Sequence, residues 1–180
     1  MKGLYIILGI IAVLFVIVIF IYNRLVMLNN RCKNAWAGID NQLKRRADLI
    51  PNLVDVTKGY AKHESETLLA CIEARNTSIT DQARQSEEVS KNLKKLLAVA
   101  EAYPDLKANK LFENLQIELT GTEDKLAYAR QFYNDSVQLF NTSIQIFPNN
   151  LLANMLKYKE KEYFKIDDAE REVVEVKLWY

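Results

Sequence analysis

Histidine occurs once, cysteine twice, proline three times and glycine five times in this sequence of 180 residues, and each shortage removes a class of function. A single histidine excludes an HExxH zinc site and the paired Glu-x-x-His motifs of di-iron bundles, because each needs two. Five scattered glycines build neither a GxxxxGK[ST] phosphate loop nor a GxSxG nucleophile elbow. Cys32 and Cys71 have no metal-ligand spacing, and two cysteines are too few for a disulfide framework; they read as buried thiols. A cysteine nucleophile needs a histidine partner. His63 lies eight residues from Cys71, about two helical turns away, and reads as a surface or half-buried side chain. The formal net charge of +1 gives no basic face for a polyphosphate, so no nucleic-acid partner is expected. No enzyme, metal or cofactor is expected from these residues.

Against these shortages stands one long apolar run. Residues 4–22 read LYIILGIIAVLFVIVIFIY, bounded by Lys2 and Arg24. At about 1.5 Å per residue, some 20 residues cross a hydrocarbon layer of roughly 30 Å with every backbone amide paired inside the helix. The anchor is carried by side chains such as Leu4, Phe15 and Phe20, with Tyr5 and Tyr22 where an aromatic belt places them. A cleaved signal peptide has a shorter apolar region and a small-residue cleavage site, and this segment has neither. The flanks carry Lys2 before the span and Arg24, Arg31 and Lys33 after it, which favours an outside N-terminus and a cytoplasmic domain.

With so few prolines and glycines, breaks between helices are rare. Leu25, Leu28, Cys32, Trp36, Ile39, Leu43, Ala47 and Ile50 recur at steps of three or four, so the membrane helix is expected to run into the soluble domain without a linker. Pro51 sits in Leu49-Ile50-Pro51-Asn52-Leu53-Val54 with no turn residues around it, and reads as a kink or a helix restart and not as a reversal. A continuous helix there also keeps Cys32 and Cys71 too far apart for a disulfide. The stripe continues through Tyr60, Leu68, Cys71 and Ile72 to a loop at 76–81. A second helix is expected over 82–102, ended by Tyr103-Pro104-Asp105. A third, over 110–146, carries Phe112, Leu115, Leu119, Thr122, Leu126, Ala129, Tyr133, Val137, Phe140, Ile144 and Phe147 at the seam spacing of bundles and coiled coils. Asn150 is expected to cap a short helix through Tyr158, and the weak alternation near the end allows an extended tail. The fold class is therefore all-α, an N-terminal transmembrane helix continuing into an antiparallel helical bundle. The division is an anchor over 1–23, a helical domain over 24–166 and a tail over 167–180.

Tyr22-Asn23-Arg24-Leu25-Val26, Ala35-Trp36, the run from Ile39-Asp40-Asn41-Gln42-Leu43 through Lys44-Arg45-Arg46-Ala47-Asp48 to Leu49-Ile50-Pro51-Asn52-Leu53-Val54, and Lys58-Gly59-Tyr60 resemble the LemA proteins of bacterial membranes. Glu101-Ala102-Tyr103-Pro104-Asp105-Leu106-Lys107-Ala108, Ala129-Arg130, Phe132-Tyr133-Asn134, Asn141 and Phe147-Pro148 extend the likeness. Between Ala153 and Tyr158 the family commonly has glycine and phenylalanine where this chain has Asn154 and Tyr158. The resemblance implies one N-terminal anchor, an antiparallel bundle and an inner-membrane location, and brings no biochemical activity with it. Relatives linked to magnetosome membranes make a scaffolding or membrane-organising role the analogy to follow.

Lys44, Arg45, Arg46 and Asp48 form the most conspicuous polar feature. They read either as a solvated face paired within the chain or as a docking surface for a protein partner or a second copy. Lipid contact is disfavoured, because Lys44 stands roughly 30 Å beyond the membrane surface, about three screening lengths. Trp36, Tyr103, Phe132 and Tyr133 are expected in the core. The competing reading, a membrane-tethered ligand sensor, requires solvent-reachable tyrosines at 103 and 133 around a pocket between helices.

Overall fold

The computed structural model describes residues 2–58, 86, 89–94, 97–98 and 103–164. The fold is all-α. Helix α1 spans Lys2–Lys58, α2 Pro104–Lys107, α3 Lys110–Gln145 and α4 Asn149–Met155, and residues 89–94 are also helical. The loop expected at 76–81, His63, Cys71, the stripe positions Tyr60, Leu68 and Ile72, the tail over 167–180 and much of the helix expected over 82–102 lie outside the described residues.

α1 is long and apolar enough in its first part to cross a membrane. Every described residue up to Phe20 is exposed, Ile21 is half-buried and Leu25 is fully buried. The helix therefore changes at this level from apolar on all sides to apolar on one. It then continues unbroken through Pro51. The reason lies in which side proline occupies. Pro51 removes the N–H that would bond the carbonyl of Ala47, and both residues are exposed, so water reaches the unpaired carbonyl while Ile50, Leu53 and Val54 pack on the other side.

The contacts group into two compact units. Met1–Asn41 with Leu126–Tyr163 forms the first, and Gln42–Lys125 with Phe164–Tyr180 the second. In the first, α1 and α3 run antiparallel: the Cys32 thiol donates to the Ser136 carbonyl at 3.2 Å, and one turn later on α1 the Trp36 ring meets Tyr133, three residues earlier on α3, edge to face with centroids 5.2 Å apart. In the second, Ile50, Leu53 and Val54 of α1 pack on Val89, Leu93, Leu106 and Phe112, Leu115 and Leu119 of α3. Tyr103 packs against this core.

Local signals set the ends of the shorter elements. Tyr103 is extended, with φ −118° and ψ 90°, and Pro104 opens α2 at the position where a missing N–H costs nothing. The Asn109 side chain then accepts the Leu111 N–H at 2.9 Å and so caps α3. Along α3 the expected seam is buried from Phe112 to Ile144, with Ala129 half-buried. Phe147 departs from it: it is 78% exposed, beyond the helix end at Gln145.

The helix expected to be capped by Asn150 starts two residues earlier, at Asn149 after Pro148 and without a side-chain cap, and it stops at Met155 and not at Tyr158. Its end is a Schellman turn. Lys157 adopts φ 56°, its N–H bonds the Asn154 carbonyl at 3.1 Å, and the Tyr158 N–H bonds the Ala153 carbonyl at 3.0 Å. That reversal sends residues 158–163 back along α3. Asn141 holds the returning chain with both ends of its amide, donating to the Lys161 carbonyl and accepting the Lys161 N–H, each at 2.9 Å.

Two measurements check this packing in the detergent-solubilised chain. Leu126 is fully buried, so Leu126→Asp should lower unfolding stability by several kcal/mol (about 3 or more) through an unpaired buried charge. Lysine is strained in the left-handed region, so Lys157→Gly should raise stability by about 0.5–1 kcal/mol in denaturant titrations.

Candidate functional site

The basic run on α1 is split by the fold. Lys44, Arg45 and Asp48 are exposed, while Arg46 is 4% exposed and takes the inward place expected for Ala47, which faces solvent. The two positions are neighbours on the helix, and the surroundings decide between them. Arg46 Nη1 lies 3.0 Å from the Ser86 carbonyl, 3.0 Å from Ser90 Oγ and 3.1 Å from Glu123 Oε1; Nη2 donates to Ser86 Oγ at 3.0 Å. Ser90 Oγ in turn donates to Glu123 Oε2 at 2.7 Å. Only a guanidinium supplies several donors in one plane to meet a carboxylate, a carbonyl and two hydroxyls, and an alanine would leave these acceptors unpaired. Arg45 is 3.7 Å from Glu118, with both side chains half exposed to water, an ion pair that contributes little to stability.

The other cluster of polar chemistry surrounds Cys32. The thiol is free and buried, and burial pushes its pKa above the ordinary value against the opposing positive charges of Lys161 and Arg31. The thiol therefore stays protonated through neutral pH and is a poor nucleophile. Tyr133 is 3% exposed, its hydroxyl donates to the Glu162 carbonyl at 3.0 Å, and burial raises its pKa, with Cys32 and Glu162 adding to the shift. It does not meet the solvent-reach condition that a sensor pocket requires. Tyr103 is half-buried. Trp36 is half-buried against Tyr133, and Phe132 is 38% exposed with the Arg31 guanidinium 5.2 Å above its ring.

No signal in the sequence singled out Ser86, Ser90 or Glu123, because the serines sit on a helix whose facing partner is an arginine 40 and 44 residues away. Along the anchor, Leu4, Tyr5, Phe15, Phe20 and Tyr22 all present their side chains outward, between 46% and 69% exposed. Among the described residues, no three His, Cys, Asp or Glu side chains are placed to hold a metal ion.

The buried guanidinium makes a quantitative claim. Arg46→Met should cost about 2–4 kcal/mol, because the Glu123 carboxylate loses its counter-charge while part of it remains buried. Adding Glu123→Leu should recover more than half of that loss, a coupling readable from urea unfolding of the four members of the double-mutant cycle.

A model of the LemA family matches residues 35–178. Protein LemA of Metamycoplasma hominis is 29% identical over 158 residues, covering 83% of this chain and 71% of that protein. Magnetosome protein MamQ 2 of Paramagnetospirillum magneticum is 24% identical over 175 residues, 80% of this chain and 64% of its own length. Magnetosome protein MamQ of Magnetospirillum gryphiswaldense is 23% identical over 174 residues, 79% of this chain and again 64% of its own. The chain thus spans a little less than two thirds of the magnetosome relatives it matches. A family match over most of the sequence, together with an apolar first helix that carries a helical bundle, leads to one conclusion: the chain belongs to the LemA family.

Proposed function

We propose that this protein is a single-pass, membrane-anchored scaffold without catalytic activity, whose helical domain docks a protein partner or a second copy of itself. The observation that carries the reading is the continuity of α1. The segment that crosses the bilayer and the segment that enters the domain are one helix of 57 residues, with no flexible linker between them. A domain joined this way holds its surface at a set height above the lipid. Lys44, 22 residues past Tyr22, stands about 33 Å along the helix from the span, beyond the reach of headgroups but open to a protein.

The docking surface consists of Lys44, Arg45 and Asp48, with Arg46 holding the helix beneath them in place. Its mixed charge suits a polar partner surface of the kind found at the rim of protein interfaces. The magnetosome relatives favour a membrane-organising role by analogy. The anchor sits in the bacterial inner membrane, with the N-terminus outside and the domain in the cytoplasm, as the excess of Arg24, Arg31 and Lys33 over Lys2 favours. The absence of catalytic chemistry rests on the single histidine, the neutral buried thiol of Cys32 and the lack of a phosphate-binding glycine loop.

The test is cross-linking in intact membranes, followed by affinity purification. A specific cross-linked species is expected, either a homo-oligomer or one partner, and Lys44→Glu with Asp48→Lys should weaken it while leaving the unfolding midpoint unchanged. A chain that stays monomeric and purifies alone would count against the scaffold.

A further inference from the structure

Two independent readings of the first unit place one end of the domain at the membrane surface. The first is the exposure along α1, where protein coverage starts at Ile21, the penultimate residue of the apolar run. The second is the antiparallel register. Cys32 lies level with Ser136, and Gln145 ends α3 nine residues, or about 14 Å, further toward the membrane. Tyr22 lies ten residues, or about 15 Å, from Cys32 in the same direction. The turn that follows α3 therefore stands at the height of the aromatic belt.

The chain at that height is unlike the rest of the soluble domain. Residues 146–156 read IFPNNLLANML and contain no ionisable side chain. α4 turns Asn149 and Ala153 inward, with the Asn149 amide donating to Ser143 Oγ at 3.3 Å. On the opposite side Ile146, Phe147, Leu151 and Met155 are 48%, 78%, 63% and 71% exposed. α4 cannot swing away, because the chain that follows it is fastened along α3. Gln145 donates to Glu160 at 2.7 Å, Asn141 pairs with Lys161, and Tyr158 packs edge to face on Phe140. An uncharged elbow with a bulky apolar face, pinned where the span meets water, has the composition of an interfacial segment. Exposed Lys157 and Lys159 follow it directly, as basic residues do beside phospholipid headgroups.

We propose that the elbow at 146–156 is a second membrane contact, with Phe147, Leu151 and Met155 seated in the headgroup and acyl boundary of the leaflet from which α1 emerges. The occupant of this face is the bilayer itself. The contact is continuous with the one made by the anchor, and with two points of attachment the first unit cannot rotate freely about α1. The inference rests on the anchor reading under the proposed function.

Fluorescence quenching in lipid nanodiscs tests both separately. Full-length protein carrying Cys32→Ala and Cys71→Ser receives single cysteines by Phe147→Cys or Leu151→Cys, both at exposed positions, labelled with the NBD fluorophore and reconstituted in phosphatidylcholine. Phe20→Cys marks the span. Tyr128→Cys, exposed on α3, stands some 18 residues of helix, about 27 Å, beyond Tyr22 and marks water. Labels at 147 and 151 are expected to shift to the blue, to be quenched by shallow nitroxide-labelled phosphatidylcholine as strongly as at 20, and to be shielded from aqueous iodide, with the label at 128 behaving oppositely. Iodide quenching at 147 and 151 like that at 128, with the label at 20 still quenched by lipid, overturns the elbow contact and leaves the anchor standing. A blue shift at 147 and 151 with neither quencher effective means that protein covers the elbow, and overturns it as well. Iodide quenching at 20 removes the anchor reading itself.

Discussion

The structure depends on one helix meeting two solvents in succession. In hydrocarbon, an unpaired backbone amide is so costly that the span has to be helical, and its side chains have to be apolar all round. In water, the same helix is stable only if one face is covered. α1 makes the change within five residues, from the exposed Phe20 to the buried Leu25, and does so without breaking its hydrogen-bond ladder. Pro51 is tolerated later because it interrupts the ladder on the wet side. Every other described element is placed by what it covers on α1 or on α3.

Several buried polar groups among the described residues are paired by two different strategies. Thr57, Thr122 and Ser136 return their hydroxyl protons to the carbonyl four residues earlier in their own helix, at 2.7, 2.8 and 2.7 Å, and so enter the core without needing a partner helix. Arg46, Asn141 and Asn149 reach to other segments. The first strategy tolerates sliding of one helix against another, because the bond moves with the helix. The second fixes register, since a shift of one residue would leave a charge or an amide unpaired. The long helices thus have apolar seams for cohesion and a few polar clasps for alignment.

Among the described residues the Cys32 thiol is buried, the Tyr133 hydroxyl is bonded inside and the Arg46 guanidinium is held within the fold, so the proposed function draws on exposed surfaces. Those surfaces differ in kind. Lys44, Arg45 and Asp48 form an exposed charged face on α1, whereas the elbow at 146–156 is uncharged and exposes apolar side chains. A scaffold reading assigns the first to proteins and the second to lipid, which is the division that their dielectric surroundings favour.

The sequence by itself determined the anchor, the absence of a reversal at Pro51 and the seam of α3, because each follows from local periodicity and from the length of an apolar run. Leu126, Tyr133, Val137 and Phe140 are buried as their spacing requires. Periodicity could not choose between Arg46 and Ala47, which differ by one step on the helix. Hydropathy favours alanine inside, and only the tertiary structure, by placing Ser86, Ser90 and Glu123 opposite, reverses that preference. The same holds at the membrane end. Phe147 continues the seam by count, yet α3 has already ended at Gln145, and Lys157 stops α4 in a left-handed turn that no glycine announces. Seam positions were legible because a helix repeats; clasps and reversals were not, because they depend on which distant segment arrives opposite and what it leaves unpaired.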